Sequence, residues 1–117
     1  RASQFITENI DSDAINELDT YIMNNEDLYR RRFMPIISNI KRKLAKNVYD
    51  HEKAQTLWMY LVDDAAKEYV KEFGSQQDDV KDMFPKETRQ QVAQVISDRE
   101  LENIKQGEYD APPGTVS

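Results

Sequence analysis

Histidine occurs once in this chain, at His51, and cysteine does not occur at all. Without cysteine there is no disulfide framework, no thiolate-held zinc or iron–sulfur cluster, and no thiol nucleophile. A single histidine excludes a two-histidine metal site. His51 lies beside Asp50 at a predicted helix start, where an imidazole is ordinarily solvent-exposed. As a general acid or base it would need a nucleophile or an orienting carboxylate brought to it by the fold. The other residues with chemistry in them are Asp63, Asp64 and Glu68, of which Asp64 and Glu68 share one helical face at i, i+4. Carboxylates at that spacing can hold a hard cation or work as an acid and base pair. Lys67 and Lys71 stand close enough to pair with them, and the Glu-x-x-His motif of di-iron bundles is absent. A solvated, salt-bridged face is therefore the expectation. Three glycines leave little for a phosphate-cradling loop, and neither GxGxxG nor GxxxxGK[ST] is present. The sequence predicts a non-enzymatic protein with no catalytic, cofactor-binding or metal-ligating residues.

What remains is binding chemistry, and the charge distribution is its clearest sign. The net charge of -6 conceals a segment, residues 25–47, that carries +5 within an acidic remainder of -11. Its cations are Arg30, Arg31, Arg32, Lys41, Arg42, Lys43 and Lys46. Clustered cations gain affinity for a polyanion by releasing its counterions, which makes nucleic acid one candidate partner. Two features oppose this. The acidic remainder repels nucleic acid at long range, and consecutive residues fan round about 300° of a helix, so two runs of three cannot all face one groove. The simpler expectation is that this helix neutralises the acidic first and third helices.

Two further patterns bear on protein partners. Met59 and Tyr60 lie off the predicted core stripe, and an exposed Met–Tyr pair suits a protein interface, where both types are enriched. The C-terminal stretch with Tyr109, Pro112 and Pro113 has the composition of an extended peptide that docks on another surface. Pro112-Pro113-Gly114 cannot be helical.

The elements that must carry these residues are legible from periodicity. At 117 residues the chain has the length of one domain. Residues 1–10 show no period and read as an arm anchored by Phe5 and Ile6. A first helix starts at Asp11 or Ser12, with Ile15, Leu18 and Ile22 on one face and Asn24-Asn25 as its stop. The second covers residues 26–46, with Leu28, Tyr29, Phe33, Ile36, Ile37, Ile40 and Leu44 as its stripe. Pro35 sits inside it, at a cost of about 3 kcal/mol in a regular helix, so a kink or break is expected there. The third spans residues 51–73, capped by Asp50. Ala54, Leu57, Trp58, Leu61, Ala65, Tyr69 and Phe73 form its core face, and Ala65-Ala66 allow close helix approach. Gly74 is expected as a left-handed cap. The fourth opens at Pro85 and uses Val92, Val95, Ile96, Leu101 and Ile104 before Gly107 ends it. Its thin stripe predicts a more solvated helix. No run of about 18 apolar residues could span a membrane.

The stretch Tyr49-Asp50-His51-Glu52-Lys53-Ala54, with Leu57-Trp58-Met59-Tyr60-Leu61-Val62-Asp63, Ala65-Ala66-Lys67-Glu68-Tyr69 and Glu72-Phe73, resembles small uncharacterised helical proteins of phages and mobile elements. Asn25-Glu26-Asp27-Leu28-Tyr29 resembles the opening of the same pattern, and the glycine expected near Asn47 is missing. The resemblance covers residues 25–105. It implies a short helical accessory protein and carries over no catalytic residue, because no activity is assigned to that family.

The expectation is an all-α chain: a single small bundle of about four helices over residues 11–107, between a flexible arm (1–10) and an extended tail (108–117). Its expected function is to bind a host or viral protein, without cofactor and without membrane insertion. The alternative is nucleic-acid association through the basic helix, and self-association is a further expectation to test. No leader opens the chain, so a cytoplasmic location in a bacterial host is expected.

Overall fold

A computed structural model describes residues 12–74 and 80–109. The expected arm, the Asp11 alternative for the first helix start, and Pro112 and Pro113 lie outside those residues. Every regular element among the described residues is helical. In chain order they are α1 (Ser12–Asn24), α2 (Glu26–Leu28), a π-helical turn (Tyr29–Phe33), α3 (Met34–Ala45), α4 (His51–Phe73), α5 (Val80–Met83) and α6 (Lys86–Lys105). The protein is a small all-α bundle, with α4 at its centre packed against α1, α3 and α6. No helix is long and apolar enough to cross a membrane among the described residues.

The helix ends follow local chemistry. Asn25 Oδ1 accepts the Leu28 N–H at 3.0 Å, and Asp50 Oδ1 accepts those of Glu52 and Lys53 at 2.9 and 3.2 Å. Each satisfies donors that the first turn leaves without an intrahelical partner. At the end of α3, Asn47 adopts φ 61°. The Asn47 and Val48 N–H groups then reach back to Leu44 and Lys43 carbonyls at 3.1 and 2.9 Å. Asparagine thus does what glycine does at the end of α6, where Gly107 at φ 82° supports the same pair of bonds to Ile104 and Asn103.

The disturbance expected at Pro35 is a π-helical turn directly before it. The Met34 N–H donates to Tyr29 O, five residues back. Pro35 has no N–H to give, and its ring clashes with the carbonyl four residues earlier in a regular helix. Wider spacing just upstream lets helical structure continue without that contact.

The core contains Leu18 and Ile22 of α1, Phe33, Ile37 and Ile40, then Trp58, Leu61, Val62, Ala65 and Ala66 of α4, and Val92 and Ile96 of α6. Phe33 packs on Trp58 with ring centroids 5.1 Å apart. Three expectations are corrected. Phe73, given a core position by spacing, is 60% exposed, because α4 projects past the bundle there. Gly74 is extended (φ -87°, ψ 167°), not left-handed. Its role is steric instead, since a Cβ there would lie 2.8 Å from Val70 O. Finally, α6 is not a solvated helix. Thr88, Val92, Ile96, Glu100 and Ile104 recur every fourth residue and are all buried, while Val95 is exposed. Two polar members of this stripe concealed it from a count of apolar residues alone.

Candidate functional site

The seven basic residues expected to form one surface are divided by the fold. Arg30 and Arg31 turn back along their own helix to Glu26 and Asp27, each at 2.5 Å. The Arg31 guanidinium holds the Asp27 carboxyl below the usual carboxylate range. Arg32 crosses to Asp64 of α4. Lys41 is half-buried and donates to the Tyr109 carbonyl at 3.2 Å. Arg42, Lys43 and Lys46 make no ion pair among the described residues, and neither does Lys53 at the start of α4. The neutralising contact expected between the basic segment and the third helix therefore comes from one residue, Arg32.

The free cations gather at one end of the molecule around a groove of about 330 Å³ between α3 and α4. Asn39, Ile40 and Lys43 line it from α3, Tyr49 and Asp50 from the connection, and Lys53, Ala54, Thr56 and Leu57 from α4. Ile40 and Ala54 are buried and Leu57 is half-buried, so the floor is apolar and the rim carries Lys43 and Lys53. The Asp50 carboxylate is occupied with the α4 N-terminal amides. Burial raises the Tyr49 hydroxyl above the ordinary tyrosine range. Tyr49 therefore contributes a neutral hydroxyl and ring at neutral pH. Such a surface suits an apolar group carried beside a negative charge. Sequence reasoning named Lys43 but missed Lys53, Leu57 and Tyr49 as its partners, because α3 and α4 meet only in the tertiary fold.

The other candidates have structural occupations. His51 is exposed, with Nδ1 3.1 Å from the Tyr49 hydroxyl. Asp63 accepts Arg89 Nη1 at 2.6 Å, and Arg89 Nε also donates to Phe84 O. Asp64 is held by Arg32, which leaves Glu68 exposed without either aspartate as a co-ligand. No group of three or more potential metal ligands occurs among the described residues. Met59 and Tyr60 do not form an exposed pair. Tyr60 is 61% exposed, whereas Met59 packs against the core. Successive helical residues point about 100° apart, which separates them.

Tyr109 belongs to the folded body and not to a peripheral peptide. Its hydroxyl donates to Glu100 and its carbonyl is held by Lys41. Glu100 is 1% exposed. It also receives Arg99 Nε at 2.7 Å and Asn103 Nδ2 at 3.2 Å. Arg99 bridges onward to Asp19 of α1 at 2.8 and 3.2 Å. Burial and the Glu100 carboxylate push the Tyr109 hydroxyl well above its usual range. Periodicity offers one signal for this cluster: Glu100 occupies the buried register of α6.

The fold defines a class, the small all-α bundle, and the groove defines a binding surface on it. Neither protein-family models, curated proteins nor solved structures yield a match to this chain.

Proposed function

We infer that this chain is a non-enzymatic binding protein whose α3–α4 groove receives a segment of a partner protein, one that presents an apolar side chain next to carboxylates. One observation supports this most: Lys43 and Lys53 flank an apolar floor and have no ion-pair partner of their own among the described residues. Apolar contact supplies affinity as it removes area from water, and the two cations set orientation and speed encounter. The resemblance of residues 25–105 suggests the setting, an accessory factor of a phage or mobile element in the bacterial cytoplasm.

The test is affinity capture from bacterial lysate with the wild-type chain and Lys43→Glu/Lys53→Glu side by side. The expected result is one dominant partner whose affinity falls about tenfold or more in the variant, equivalent to about 1.4 kcal/mol. Equal capture by both chains would refute the groove as the binding surface.

A further inference from the structure

The chemistry that the groove accepts is present on this chain itself, at the far end of α4. Phe73 is 60% exposed. Glu72 is its neighbour, and Glu68 lies one turn before it. The Tyr21 and Tyr69 rings stand 6.1 and 4.9 Å from Phe73 and make an apolar collar. Glu72 is fixed by the Tyr21 hydroxyl, which donates to Oε1 at 3.0 Å, and Glu17 by the Tyr69 hydroxyl. Asp13 lines the same recess, which no described lysine or arginine lines. An apolar knob among carboxylates thus occupies one end of α4, and an apolar groove between unpaired lysines occupies the other.

Resting on the reading of the groove given above, we propose that its occupant is a second copy of this chain. Phe73 of one copy seats over Ile40, Ala54 and Leu57 of the next, with Glu68 and Glu72 meeting Lys43 and Lys53. The geometry also decides the form of the assembly. Leu57 and Phe73 are sixteen residues apart, which is about 24 Å along a helix and about 160° around it. Two sites facing almost opposite ways cannot both engage the same partner, so a closed symmetric pair is excluded. Repetition of the contact builds an open head-to-tail chain, the heterologous kind of association.

The experiment is sedimentation equilibrium across micromolar to millimolar concentrations, with thermal unfolding of each variant as the control for folding. At low salt the weight-average mass of the wild-type chain should rise above the 13.7 kDa of one copy. It should return to that value near 1 M salt, where screening acts within about 3 Å. Lys43→Glu/Lys53→Glu loses the groove and Glu72→Lys/Phe73→Ala loses the knob, so each alone stays a monomer. Mixed in equal amounts, they retain one intact groove and one intact knob, and the mass should level off at two copies per particle. A wild-type chain that remains monomeric throughout, a variant that still assembles, or a mixture that stays monomeric overturns the proposal. If the wild type is monomeric but Lys43→Glu/Lys53→Glu still loses its captured partner, head-to-tail assembly fails while the binding role of the groove stands.

Discussion

Replacing Arg99 with methionine is the sharpest test of how the two ends of the chain are held together. Arg99 donates through Nε to Glu100 and through both terminal nitrogens to Asp19, eighty positions away. The Glu100 side chain is 2% exposed, that of Asp19 is 19% and that of Arg99 is 34%. Methionine keeps the aliphatic stem and removes the charge, leaving the Glu100 carboxylate buried with only Asn103 and Tyr109 as donors. Breaking a buried pair by removing one partner costs about 3–5 kcal/mol. Because water already reaches a third of Arg99, the expected loss is smaller, roughly 2–3 kcal/mol. A chain of this size has a total stability of roughly 6–18 kcal/mol, so the loss is a large fraction of it. It corresponds to a fall in Tm of about 10 °C. Urea unfolding followed by circular dichroism, with the buried Trp58 as a fluorescent probe, reads it directly. Adding Glu100→Met to Arg99→Met removes the stranded carboxylate and should recover part of the loss, since an apolar replacement of a buried pair is often neutral. A single variant within about 1 kcal/mol of wild type, or a double variant that merely adds two penalties, would refute the reasoning.

Three other outcomes are expected. Asp50→Ala removes the acceptor of two amides at the start of α4 and should cost about 1 kcal/mol in urea unfolding. Asn47→Gly should be neutral or slightly stabilising at φ 61°, whereas Asn47→Ala should destabilise by about 1 kcal/mol by the same measurement. Tyr69 donates to the Glu17 carboxylate, and that bond, burial and the nearby charge push its hydroxyl up to about 12. The folded state therefore keeps a proton that the unfolded chain releases near the model value of 10.0. Stability should be fully present below that pH and fall as pH rises through the folded value. Tyr69→Phe should flatten this fall in melts taken across the range.

Local features were legible because their physics is local. Asn25 and Asp50 cap helices with bonds that span two or three residues, so residue type and position sufficed. Pro35 announced its disturbance, although only the backbone revealed that the chain answers it with a π turn. Readings that depended on distant neighbours went astray. Phe73 has core spacing, yet the bundle ends before it. The α6 stripe looked thin because Thr88 and Glu100 are polar, and what makes Glu100 tolerable there is Arg99 and the cation's bond to a helix near the other end of the chain.

By itself the sequence determined an all-α chain, its helices, their caps, and a concentration of positive charge in residues 25–47. Periodicity, backbone sterics and short-range hydrogen bonds act within a few residues, and composition is independent of folding. Only the tertiary structure decided which of those charges are spent. Arg30 and Arg31 close on their own helix, Arg32 crosses to Asp64, and Lys43 is left facing Lys53 over an apolar floor that two separate helices supply. Coulomb attraction and burial depend on distance in space, and distance along the chain does not specify it.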